Sequence, residues 1–197
     1  REGEGSATGE CLGISASVAR ALVDGVPDPS LFDAADALAR VAPFAMRYLD
    51  DREALRSAVR ESATVTCHEP QTFTATLAFA DMMQVALRGA APTVILAAGD
   101  ELRSAAWDGS SRPAAVLSAV VQGFSVGVGF KDTVLRAVNL GGPADAVGAL
   151  SGQLAGAHYG LEAIPAAWVA TIAHRSMIAD LADALLAEAL VGLVDPA

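Results

Sequence analysis

A chain of 197 residues suits one domain with a sizeable core, and 53% hydrophobic against 18% charged residues excludes intrinsic disorder. The net charge of −10 argues against a nucleic-acid backbone or an anionic membrane surface as partner. No apolar run reaches the ~18 residues that suggest a membrane span.

Residues 1–10, REGEGSATGE, are polar and glycine-rich and read as a mobile terminus ahead of a single domain over 11–197. The sequence opens at Arg1 rather than Met, which reads as a fragment or a processed product. Leu12, Ile14, Val18 and Leu22 recur at helical spacing, and Gly25 and Pro27 stop that helix. Ser30 is expected to cap a helix through Ala39, with Asp33 three residues on, and Pro43 to end or kink it. Asp50 or Asp51 caps a helix from 52 to about 64. Pro70 opens a longer one to about 87, whose stripe of Phe79, Met82, Met83 and Ala86 reads as core.

Gly89 and Pro92 bracket a turn before a helix over 93–106. A loop at 110–113 precedes a helix over 114–122, and the run GFSVGVG from Gly123 follows. That run is not a phosphate loop, because no Lys-Ser/Thr follows it and no strand precedes it. Asp132 is expected to cap a helix over 133–139, and further apolar spacing after Trp168 predicts two more helical segments that meet near Arg175 and Ser176. Period-2 alternation is absent, so the expected fold is all-α, a compact orthogonal helical bundle.

The stretch from Arg136 to Trp168, RAVNLGGPADAVGALSGQLAGAHYGLEAIPAAW, reads as the element around which the chain is organised. It breaks at Gly141-Gly142-Pro143 and restarts with Asp145 in the first turn, where a carboxylate meets the positive end of the helix dipole. Small residues dominate up to Tyr159, so Gly152 and Gly156, four apart, are expected to let a neighbouring helix approach closely. A helix so poor in polar side chains is expected to be buried on most sides, with cover from a second copy or another chain.

These residues carry a family resemblance. The stretch resembles the signature of the ADP-ribosylglycohydrolases, A-V-N-x-G-G-D-x-D-T-x-G-A through G-A-x-Y-G to I-P-x-x-W. Arg40, Ala42 and Pro43 resemble a second family segment, in which Ala35-Asp36 stand where Asn-Gly is usual; Thr66 and Pro70 resemble a third, in which Cys67 stands for a histidine and Glu69 for His or Asp. The resemblance implies an all-α fold of that type. It also implies a D-x-D-T set that helps hold two magnesium ions, but here Pro143 replaces the first Asp, Asp145 retains the second and Ala146 replaces the Thr. Nothing in residues 1–45 resembles the family's opening motifs, so a partner chain or second copy is expected to supply the missing half.

The ligand-pocket candidates are Asp145, Asn139, Cys67, His68, Glu69, Arg40 and Tyr159. Asp145 reads first as a helix cap, since magnesium wants several oxygens in near-octahedral geometry. Asn139 reads as bonding the glycine turn and Tyr159 as packing, and His174 as a helical surface residue. Cys67 and His68 are adjacent at a helix start, so their side chains diverge and a catalytic pair is not implied. Cys11 and Cys67 lack metal spacing and read as free thiols of a reducing, cytoplasmic compartment.

Three functions follow. In the first, a divergent ADP-ribosylglycohydrolase-like protein without the magnesium pair, and with no other cofactor, uses its cleft for a nucleotide- or sugar-like small molecule or for a metal-free reaction. In the second, a magnesium-dependent hydrolase of ADP-ribosyl or related N-glycosidic bonds is present as a fragment. In the third, the helical scaffold serves a structural or interaction role only.

Overall fold

Side-chain caps and prolines start the helices, and glycines end several of them. The computed structural model describes residues 9, 14–26, 35–100 and 105–194, with side chains to 191. The expected mobile terminus (Gly9 apart), Cys11, Leu12, and the cap at Ser30 with Asp33 lie outside the described residues. The helices are α1 (Ala16–Asp24), α2 (Ala35–Ala39), α3 (Val41–Arg47), α4 (Arg52–Thr64), α5 (Pro70–Leu87) and α6 (Pro92–Ala98). They continue with α7 (Pro113–Val126), α8 (Phe130–Val138), α9 (Ala144–Tyr159), α10 (Ala166–Val169) and α11 (Arg175–Val194), with a 3-10 turn at Leu161–Ala163. The described residues include no strand, and the fold is all-α. Among them no helix is long and apolar enough to cross a membrane.

The helix at the centre is α5, not the signature helix. It packs against α2, α3, α4, α6, α7 and α9. Pro70 occupies its first turn, and the Glu69 carboxylate caps it by accepting from the Thr72 N–H at 2.8 Å and the Thr72 hydroxyl at 2.9 Å. Almost every position from Ala75 to Ala86 is buried, including Phe79, Met82 and Met83. Its buried polar groups are satisfied: the Gln84 amide donates to the Tyr48 carbonyl at 2.8 Å, and the Thr76 hydroxyl donates to the Thr72 carbonyl at 2.7 Å.

By contrast α9 buries one face, formed by Val147, Leu150, Ser151, Leu154 and Ala155, and leaves Asp145 and Ala149 exposed. Small side chains make a helix look apolar all round without requiring cover all round. The expected close approach at Gly152 is also absent, since a Cβ there would meet nothing within 4 Å. At Gly156 it would meet only the Phe130 ring edge, at 3.9 Å.

The close approach lies on α7 instead. A Cβ at Gly123 would stand 2.7 Å from the Ala137 Cβ and 3.0 Å from the Thr133 carbonyl oxygen of α8. One at Gly127 would collide with the Thr133 hydroxyl. The helix over 114–122 therefore extends through Gly123 to Val126, because the glycines there serve packing and not chain reversal.

Four further expectations change. Pro43 does not end a helix but sits in the first turn of α3, where no N–H is needed. Asp132 is not the cap of α8, which starts at Phe130 after Gly129; its carboxylate accepts from Arg136 Nε at 2.6 Å and from the Val128 N–H at 3.1 Å. His174 lies in a turn ahead of α11, at φ +55°. The helix expected over 93–106 ends at Ala98 with Gly99 as its cap, and residues 105–108 are not helical.

Candidate functional site

The signature break builds one wall of a hollow. Gly141 and Gly142 both adopt positive φ, +87° and +63°, which favours glycine, and a Cβ on Gly142 would strike the Trp107 ring. Trp107 is fixed in turn by its indole N–H, which donates to the Leu140 carbonyl at 3.3 Å. The chain then enters α9 through Pro143, with the Ala144 N–H donating to the Gly142 carbonyl at 2.8 Å. This sets Pro143, Asp145 and Ala146 along one side of a hollow of about 440 Å³.

The opposite side comes from the start of α1 and from α2. Ser15 caps α1 by accepting from the Val18 N–H at 3.2 Å, and its hydroxyl also bonds the Asp36 carboxylate. Gln153 of α9 donates to the Ala39 carbonyl at 3.0 Å and so ties α2 to α9. Ser111 completes the polar lining. The hollow thus gathers two carboxylates, Asp36 and Asp145, and two hydroxyls, Ser15 and Ser111. A larger hollow of about 650 Å³ beside Trp107 and Leu140 has Asp100 as the one ionisable group among the described residues of its lining.

Of the seven ligand-pocket candidates, only Asp145 lines the hollow, together with Ala35, Asp36, Pro143 and Ala146 from the family segments. Arg40 is near it in sequence but points to the C-terminal end of α4, donating to the Ser62 carbonyl at 3.0 Å and the Thr66 hydroxyl at 2.9 Å. Partial burial pushes its guanidinium below the ordinary range, against the opposing pull of the Asp36 carboxylate. Cys67 is free and buried, its sulfur 3.4 Å from both the Thr72 hydroxyl and the Glu69 N–H. Cys67 and Glu69 meet at the Thr72 hydroxyl, where Glu69 is engaged as the α5 cap, while His68 is exposed, so the three side chains do not form one site.

Asn139 caps the end of α8, and the following turn closes through the backbone, Gly141 N–H to Val138 carbonyl at 3.2 Å. It lies beside a different, shallow hollow with Gln122 and Arg136. Tyr159 sits at the far end of α9, ~20 Å from Asp145 at 1.5 Å rise per residue. Its hydroxyl donates to the Gly127 carbonyl at 3.2 Å, and its ring packs on Phe124 and His158. Sequence reasoning missed Ser15 and Ser111. A serine directly before a helical run was the available signal for Ser15.

The sequence model of the ADP-ribosylglycohydrolase family matches residues 2–192. The chain belongs to the ADP-ribosylglycohydrolase family. The match begins at residue 2, so it includes the opening stretch in which no family motif was read. Over 217 aligned residues the chain is 31% identical to ADP-ribosylarginine hydrolase Tri1 of Pseudomonas putida (strain GB-1), covering 94% of this chain and 56% of that protein. Over 66 residues it is 46% identical to ADP-ribosyl-[dinitrogen reductase] glycohydrolase of Rhodospirillum rubrum, covering 32% and 22%. A solved structure described as an ADP-ribosylglycohydrolase-related protein complex superposes with a TM-score of 0.77 at 32% identity, covering 88% of this chain and 67% of that one. The chain spans about half the length of the Pseudomonas relative and less of the Rhodospirillum one.

The ADP-ribosylglycohydrolase signature allows a test of the hollow against a magnesium pair. Pro143 and Ala146 bring no side-chain oxygen, and the Asp36 carboxylate is bonded to Ser15. Among the described residues, no three of His, Cys, Asp and Glu converge on a point that could hold a metal. Each Mg²⁺ wants about six oxygens in octahedral geometry. The described residues of this ADP-ribosylglycohydrolase-family chain do not fit that pair.

Proposed function

We propose that this ADP-ribosylglycohydrolase-family chain has given up the dinuclear magnesium site and uses the α1–α2–α9 hollow to bind a sugar- or nucleotide-like small molecule, alone or as the substrate of a metal-free reaction. The observation that carries the reading is the lining: Asp36 and Asp145 face the hollow where Pro143 and Ala146 stand in for ligand residues. Carboxylates flanked by hydroxyls accept hydrogen bonds from a diol and repel phosphate, so the ribosyl end of the ligand enters and any phosphate stays outside. The protein acts in the reducing cytoplasm, in keeping with a free Cys67. It works as an assembly with a second copy or with a chain that supplies the rest of the family fold.

The rival reading, a magnesium-dependent hydrolase of ADP-ribosyl bonds, draws on the printed activities of the relatives and on Asp145. Calorimetric titration with ADP-ribose separates the two. Equal affinity in excess EDTA and in millimolar Mg²⁺, weakened by Asp145→Ala, is expected. Binding, or release of ADP-ribose from ADP-ribosylarginine, that requires Mg²⁺ would overturn the proposal.

A further inference from the structure

A separate hollow, of about 500 Å³, runs along α4 and is lined by Arg52, Glu53, Arg56, Ser57 and Arg60. In a chain of net charge −10, three guanidiniums in nine residues form a local positive ridge. Residues 52, 56 and 60 are each four apart and so lie on one helix face, where like charges repel. The fold holds them there by anchoring each one. Asp81 of α5, whose side chain is only 5% exposed, accepts from Arg52 Nε at 3.1 Å and Arg52 Nη2 at 2.7 Å, and also pairs with Arg56. Arg60 lies over the Phe73 ring, 5.7 Å from its centroid.

Arg60 rests on the Phe73 ring and, among the described residues, pairs with no acid, so its positive charge faces the hollow. Glu53, on the same ridge, is the one group lining the hollow that opposes an anion. The anchored guanidiniums lose little rotamer freedom on binding, and their planar forks match the oxygens of a phosphate group. We propose that the α4 ridge is a binding site for a phosphate-type oxoanion, carried by a small phosphoester or pyrophosphate. The site shares no lining residue with the α1–α2–α9 hollow, and the proposal stands independently of the function assigned there.

The test is a titration of the whole chain with inorganic phosphate and with pyrophosphate, against sodium chloride at matched ionic strength. It reads the Arg56 and Arg60 Nε–H signals by NMR. Saturable shifts with phosphate or pyrophosphate but not chloride are expected, and the tighter of the two tells a monophosphate source from a diphosphate one. Arg60→Gln leaves the Asp81 pairs intact and should weaken binding about three- to tenfold, as for one charge-assisted contact near the surface. Glu53→Gln should tighten it about twofold or more by removing a like charge. Shifts reproduced by chloride, or an affinity unchanged in both variants, would overturn the proposal. So would a polyglutamate peptide that saturates the ridge where pyrophosphate does not, since the partner would then be an acidic protein segment.

Discussion

Gly123→Ala should destabilise the protein although alanine is the better helix former. Taken alone, the replacement gains ~1 kcal/mol of helix propensity. The added Cβ would stand 2.7 Å from the Ala137 Cβ and 3.0 Å from both the Ala137 nitrogen and the Thr133 carbonyl oxygen. Two of those three neighbours are backbone atoms, which no rotamer change can move. Overpacking costs about 1–3 kcal/mol, and a backbone obstacle places the cost in the upper part of that range. The net loss is then about 1–2 kcal/mol, or a fall in melting temperature of roughly 2–8 °C for a domain of this size. Gly152→Ala is the control: the same propensity gain meets open space, so the melting temperature should rise by roughly 2–4 °C. Thermal denaturation followed by circular dichroism at 222 nm reads both variants. A Gly123→Ala protein that melts with or above the parent would refute the account of α7–α8 packing.

Asp81→Asn should cost about 2 kcal/mol by denaturant midpoint, because two guanidiniums lose their shared carboxylate, and Glu53→Gln should leave the midpoint nearly unchanged. Millimolar Mg²⁺ should not shift the melting temperature; a saturable rise abolished by Asp145→Ala would show that the hollow holds a metal after all. Asp108, held by the Ser110 hydroxyl, the Ser110 N–H and Arg112, has its carboxyl lowered to about 2. Its folded-state value lies below the ordinary one of 3.8, so its contribution is present above that value and is lost as pH falls toward 2. The Asp108 carboxyl resonance should titrate near pH 2 in the folded protein, and a midpoint near 4 would contradict the turn geometry.

The helical periodicity was legible because it reports local burial: the 52–64 and 70–87 segments emerge as α4 and α5 with the same limits. What the sequence does not encode locally is which face meets a neighbour. Gly123 and Gly127 have the same spacing of four as Gly152 and Gly156, yet only at the first pair does a neighbouring backbone crowd the place a Cβ would take. The hollow has the same character. Asp145 could be read from its place after a glycine break, but Ser15 and Asp36 are 21 residues apart and meet only when α1 and α2 fold together. Glu69 reads from the sequence as a ligand-pocket candidate, and its part in the fold is a cap, a task more often given to shorter side chains.

The last helix stands apart energetically. α11 packs mainly on α3, with one ion pair between Arg47 and Glu188 at 3.0 Å, and leaves Met177, Ile178, Leu181 and Leu190 about half exposed. Its twenty residues are thus joined to the bundle mainly through one neighbour, whereas α5 packs closely on six. Such a helix opens as a unit of its own without waiting for global unfolding, and its amide protons exchange with solvent far ahead of those of α5. A protease that finds this chain will enter at residues 170–175 and release α11 while the core remains folded.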